Sequence, residues 1–184
     1  MENTYIFRTI IGNIKIIESN NFIVNIQFKN DIDTNSNDIN TNTNDINTNT
    51  NVTDVTAVTG TFPKETPLVI QAAKQLEEYL SGARKQFDLP LNPVGTEFQK
   101  SVWHMLQTIP YGEHWSYKQV AIALGKPTAA RAVGMANNKN PIAIIIPCHR
   151  VIGSNGDLVG YAGGLAIKEQ LLKLEKENYE YSII

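Results

Sequence analysis

The 184-residue chain contains a single cysteine, Cys148, and it stands directly before His149 and Arg150 in the string Ile-Pro-Cys-His-Arg-Val. The thiolate is the nucleophilic form of cysteine, and a neighbouring imidazole and guanidinium both favour it over the thiol. A lone cysteine is more often a small apolar core residue, so here the neighbours carry the case for chemistry. Adjacent residues on a strand point to opposite faces, so Cys148 and His149 cooperate only where the backbone turns. Pro147 and the upstream pair Asn140-Pro141 make such a turn credible. A histidine acting as a base needs its second ring nitrogen held by an acceptor. Glu175 is placed for this, because Leu165, Leu171, Leu172 and Glu175 share one broad face of a helical pattern over 165–175. Lys168 falls in the same arc, and Glu175 also reads as a solvated helix-end acid among Lys173, Lys176 and Glu177.

Composition narrows the alternatives. One cysteine excludes an intrachain disulfide framework, and with three histidines it leaves too few ligands for the usual cysteine-rich zinc sites, so neither a metal nor a cofactor is expected. With 42% apolar and 18% charged residues the chain is expected to fold rather than stay disordered. No stretch approaches the roughly 20 apolar residues that cross a bilayer, and Met1-Glu2-Asn3-Thr4 does not open a secretory signal. The expected location is therefore the cytoplasm, or the nucleus in a eukaryote. A net charge of −2 hides a local surplus: Lys100, Lys118, Lys126, Arg131, Lys139 and Arg150 face only Glu113 between Phe98 and Gly156. Such a surface suits phosphate.

These residues need a scaffold. Tyr5–Phe7, Ile14–Ile17 and Phe22–Phe28 read as strands of an antiparallel meander with Asn20-Asn21 as a turn. From Asp31 a seven-residue unit repeats as DIDTNSN, DINTNTN and DINTNTN, with one apolar residue per unit, so a disordered insert is expected over about 31–60. Thr66-Pro67 opens a helix that Gly82 stops, and Pro90, Pro93 and Gly95 mark a domain boundary. Thr96 with Gln99, and Ser116 with Gln119, form capping boxes, the second for a helix through Leu124. Thr128 is placed to cap a further helix to about Asn137, giving a helix-turn-helix pattern that an ordinary helical hairpin also matches. Ile142–Ile146 is a short continuous apolar run and reads as a buried strand leading to Cys148. The helix around Arg131 is narrow, with Ala129, Ala130, Ala132, Gly134 and Ala136 surrounding one long basic side chain. Gly134 lowers helix stability by about 1 kcal/mol, which suggests close approach of a nucleic-acid groove or of another helix.

The strings FQKSVWHMLQTIPYGEHWSYKQVA, AARAVGMANNKNP, IPCHRVIG and GYAGGLAIKEQLL, in this order and spacing, resemble the O6-alkylguanine-DNA alkyltransferases, also called methylated-DNA-protein-cysteine methyltransferases. The resemblance covers about Gly95 to Glu175. It implies a two-domain α/β fold, with a small antiparallel sheet and helix over 1–90 and a mostly helical, winged helix-turn-helix-like domain over 95–184. It implies repair of duplex DNA by irreversible, once-only transfer of a methyl or small alkyl group from O6 of guanine, and leaves open whether O4 of thymine is also a target.

In that family Cys148 would be the acceptor, His149 its base acting through a water, and Glu175 the partner of His149. Asn140 would brace the turn carrying the cysteine. Tyr117 would rotate a phosphate and approach the flipped guanine, Arg131 would fill the gap in the base stack, and Tyr161 would wall the pocket. Backbone groups of Cys148, Val151 and Ala162 would read the guanine edges, with Gly134 on the DNA-facing helix. The implied partner is double-stranded DNA holding O6-alkylguanine, met by a monomer with no obligate protein partner and no membrane. Two other classes remain in view: a cysteine hydrolase, for which no oxyanion or peptide-groove motif is present, and a non-catalytic winged-helix binder of alkylated DNA, which would lack the reactive cysteine.

Overall fold

The computed structural model describes residues 2–29 and 65–180, and the Asn/Thr repeat expected to be disordered lies outside them. Strands β1 (Glu2–Thr9), β2 (Gly12–Ser19) and β3 (Phe22–Lys29) form an antiparallel sheet in the order β1-β2-β3. Asn20 and Asn21 both take positive φ, 52° and 63°, as the tight turn between β2 and β3 requires. Alternation along β2 turns Ile14 and Ile16 inward, where helix α1 (Pro67–Leu80) covers them with Val69, Ala72 and Leu76. Thr66 caps α1 by accepting from the Val69 amide at 3.2 Å, while its hydroxyl donates to Glu18.

Helices α2 (Glu97–Leu106) and α3 (Tyr117–Ala123) both open on complete capping boxes, so the local signals at Thr96 and Ser116 locate their starts. Helix α4 (Ala130–Asn138) packs on both, and the Trp103 indole N–H donates to the Ala136 carbonyl at 2.8 Å. Strands β4 (Trp115–Ser116) and β5 (Val151–Ile152) pair in parallel beside this helix-turn-helix, and α5 (Leu165–Glu180) closes the C-terminal part. The architecture is two-domain α/β: a small antiparallel sheet with one helix, then a mostly helical winged helix-turn-helix part. Among the described residues no helix is long and apolar enough to cross a membrane.

Three expectations need correction. Ala129, not Thr128, is the cap residue of α4, and no side chain bonds the first turn. Leu165 does not join the buried face of α5 but is 48% exposed. Ile142–Ile146 is not a strand: only Ile142 makes a β-bridge, with Ile26, and Ile144 sits at φ +71°. The Ile145 amide donates to Ala143 O at 2.9 Å and the Ile146 amide to Ile142 O at 3.0 Å, so the segment coils back on itself. Positive φ is costly for a β-branched residue and is held here by surrounding structure. All five side chains are buried. The continuous apolar run therefore reported burial, and burial alone does not distinguish a strand from a compact turn.

The two halves are stitched along the outer edge of β3. Ile23 exchanges backbone hydrogen bonds with Pro90 O (2.8 Å) and the Asn92 amide (3.0 Å), and Ile26 does so with Pro141 O (2.8 Å) and the Ala143 amide (3.2 Å). The sheet edge thus gains partners from the linker and from the turn that precedes Cys148.

Candidate active site

Cys148 begins a single 3-10 turn, Cys148–Arg150, immediately after Pro147. Cys148 and His149 thus lie on a turn and not on an extended strand, where adjacent side chains would point to opposite faces. The approach to it is braced by Asn140, whose Nδ2 donates to Ile146 O at 2.8 Å and whose Oδ1 accepts from the Ile142 amide at 3.0 Å. Asn137, near the end of α4, donates through Nδ2 to Cys148 O at 3.3 Å. This contact was not legible in the sequence, where Asn137 is one of several asparagines before Pro141.

Behind Cys148 lies a buried polar cluster. His149 and Glu175 are both fully buried, with His149 Nε2 2.9 Å from Glu175 Oε1. Arg150 donates Nε to Oε2 at 2.9 Å and Nη2 to Oε1 at 2.8 Å, and its Nη1 donates to Ile109 O at 2.7 Å. The Gly112 amide reaches Oε2 at 3.1 Å, and the Tyr79 hydroxyl donates to Oε1 at 2.6 Å. Glu175 is therefore not a solvated helix-end acid. Tyr79, from α1, is the member that sequence reasoning missed, since nothing local at position 79 marks it and its partner is 96 residues away.

Burial works against the Glu175 carboxylate, but hydrogen bonds from His149 and Arg150 and the Arg150 charge outweigh it and hold the group at about 2. Burial also lowers His149 below its usual range despite the Glu175 carboxylate, so the imidazole is neutral at rest. An ionised carboxylate only accepts, so Nε2 carries the ring proton and Nδ1 keeps a lone pair. Nδ1 is buried with no partner among the described residues.

Burial pushes the Cys148 thiol up to about 11, against an Asn140 hydrogen bond, the Lys168 charge and the Cys148 and His149 amides, all of which pull it down. This corrects the expectation that His149 and Arg150 together favour a standing thiolate. The Arg150 guanidinium is spent on Glu175 and a carbonyl, so the resting group is a thiol. Lys168, fully buried, donates to Val151 O at 2.6 Å and Val159 O at 2.9 Å, and burial lowers it to about 8.

The remaining predicted residues divide between the buried surroundings of His149 and the exposed surface. Tyr161 is buried, packed against Phe28 with centroids 5.7 Å apart and edge-on to His149 at 6.4 Å, and its hydroxyl has no partner among the described residues. Gly163 keeps this contact open, because a Cβ there would lie 2.7 Å from the Phe28 ring. Tyr117 is half-buried and donates to Val159 O at 3.3 Å, Val151 is buried on β5, and Ala162 is exposed. Arg131, Ala132 and Met135 form the exposed face of α4. A Cβ on Gly134 would meet the Tyr117 ring at 3.6 Å, an ordinary contact, so packing within the protein does not require glycine there.

Fold and site together define a class: a buried cysteine with an imidazole–carboxylate pair, carried on a winged helix-turn-helix scaffold. Residues 3–93 match the 6-O-methylguanine DNA methyltransferase ribonuclease-like domain, and residues 97–177 match the DNA binding domain of the same family. A methylated-DNA–protein-cysteine methyltransferase of Methanosarcina barkeri is 67% identical over 108 residues, covering 59% of this chain and 68% of that one. The constitutive methylated-DNA–protein-cysteine methyltransferase of Bacillus subtilis is 52% identical over 124 residues, covering 67% and 75%. The crystal structure of Mycobacterium tuberculosis OGT in complex with DNA is similar with a TM-score of 0.73 and 36% identity, over 96% of this chain and 93% of that one. The chain belongs to the 6-O-methylguanine DNA methyltransferase family.

Proposed function

We propose that this chain repairs DNA by moving a methyl or small alkyl group from O6 of guanine to Cys148, once per molecule. The observation that carries the reading is the buried Cys148–His149–Glu175 arrangement, in which Glu175 holds Nε2 and leaves the Nδ1 lone pair for a proton. His149 accepts the thiol proton through a bridging water, and the sulfur displaces guanine from the alkyl carbon. The C–S bond forms as the C–O6 bond breaks, and the departing guanine takes up a proton from the Tyr117 hydroxyl, which gives up its bond to Val159 O to donate it. The thioether is stable and the chain's single cysteine leaves no second thiol to regenerate it, so the reaction is stoichiometric.

The target atom lies inside the duplex, so the base must be flipped, at a cost of a few kcal/mol. Arg131, exposed on the narrow α4, fills the vacated place, while Gly134 lets the helix backbone approach the DNA. Tyr161 walls the pocket, Asn140 keeps the acceptor turn in shape, and backbone groups at Cys148, Val151 and Ala162 read the guanine. The working unit is a monomer of two domains, 1–90 and 95–184, acting in the cytoplasm without metal or cofactor. The non-catalytic binder is disfavoured by the presence of Cys148 itself. Intact mass after mixing with duplex DNA containing O6-methylguanine decides between them: repair adds one methyl to the peptide holding Cys148, and an unchanged mass refutes the reading.

A further inference from the structure

We propose that Tyr79 is a positioning residue for the transfer reaction, contributed by the N-terminal domain: its hydroxyl bridges Glu175 and His149 and holds ring and carboxylate in the orientation that leaves Nδ1 as the base. The inference deepens the reading of Cys148 as alkyl acceptor and rests on it. Tyr79 is fully buried on α1, 2.6 Å from Glu175 Oε1 and 3.2 Å from His149 Nε2. The hydroxyl has one proton. It goes to the carboxylate, which leaves an oxygen lone pair facing the Nε2–H. One hydroxyl thus satisfies an acceptor and a donor of the relay at once.

The ring cannot swing away, because Phe87 lies against it at 5.2 Å and Tyr111 meets it edge-on at 6.0 Å. A hydroxyl buried at this depth is costly unless it is bonded, and both of its partners belong to the relay. The charged and titratable groups around the pair are Glu175 and Lys168 from α5, Arg150 from the 3-10 turn, Cys148, Tyr111 and Tyr161. The Tyr79 oxygen stabilises the protonated imidazole directly, since its negative end faces Nε2–H. Removing it makes His149 a weaker base.

The test is Tyr79→Phe in the full chain, followed by single-turnover methyl transfer from O6-methylguanine duplex across pH. The plateau rate is expected to fall about tenfold, and the acid limb, where His149 becomes protonated, to move to lower pH by about half a unit, in line with one lost charge-assisted hydrogen bond. A slower rate with an unmoved acid limb would make Tyr79 merely structural and overturn the proposal, as would wild-type kinetics. Alkylation of Cys148 by iodoacetamide across pH, on protein without DNA, should show the same displacement. Should the wild type take no methyl from DNA, the functional reading fails; should it transfer and the variant match it, only the role of Tyr79 fails. If Tyr79→Phe does not fold, NMR of the wild type decides: a slowly exchanging Tyr79 hydroxyl proton with a cross-peak to the His149 ring is expected, and its absence overturns the bridge.

Discussion

Arg150 grips Glu175 through both Nε and Nη2, at 2.9 and 2.8 Å, so the carboxylate that holds His149 is also the counter-charge of a buried guanidinium. Removing one partner of a buried pair leaves the other uncompensated, at about 3–5 kcal/mol. Glu175→Gln should therefore lose stability on that scale in a denaturant titration. It should also slow methyl transfer at least about tenfold, within the range that base catalysis supplies, without abolishing it. A variant of wild-type rate at pH 7 would remove Glu175 from the relay.

Acid should expose the same group. Its folded value of about 2 lies below the ordinary 4.5, so the stability it provides is fully present above pH 4.5 and is lost as pH falls toward 2. The loss across that window should approach roughly 3 kcal/mol. Unfolding free energies measured at pH 5 and pH 2.5 should differ less in Glu175→Gln than in the wild type.

Cys148→Ser and Cys148→Ala should gain no methyl on exposure to O6-methylguanine duplex while keeping most of their DNA affinity. The exposed face of α4 does not include the cysteine. Mass spectrometry reads the first effect and a gel-shift titration the second.

Arg131→Ala should lower repair of duplex DNA markedly while leaving the slow reaction with free O6-methylguanine base nearly unchanged, since the free base needs no flipping. A mismatch opposite the lesion lowers the cost of unstacking and should partly rescue the variant. Equal losses on duplex, mismatched duplex and free base in single-turnover assays would assign Arg131 to the pocket or the fold instead.

Gly134→Ala separates folding from DNA approach. The added methyl meets only the Tyr117 ring at ordinary contact distance, so the unfolding free energy should rise by up to about 1 kcal/mol. DNA affinity should fall if the backbone of α4 comes close to the duplex, and unaltered binding would take Gly134 off that surface.

What the sequence made legible was local. The Thr96/Gln99 and Ser116/Gln119 boxes and the Asn20-Asn21 turn each draw their signal from residues within a few positions of one another. Glu175 was within reach because helical spacing set it beside the buried Leu171. The turn at 142–146 was not, because its shape depends on the Asn140 side chain and on pairing with Ile26, far away in the chain. Charge logic also fell short at Arg150, since adjacency to Cys148 in sequence does not reveal that the guanidinium points to Glu175. Tyr79 was hidden for the same reason: only the packed fold brings α1 to His149.

The backbone bonds between β3 and the segments at 90–92 and 141–143 carry a thermodynamic consequence. Melting the sheet strips Pro141 and Ala143 of their partners, and uncoiling the acceptor turn bares the edge of β3. Loss of either part leaves backbone groups of the other unpaired, so heating should yield one calorimetric peak, with equal van't Hoff and measured enthalpies, rather than two.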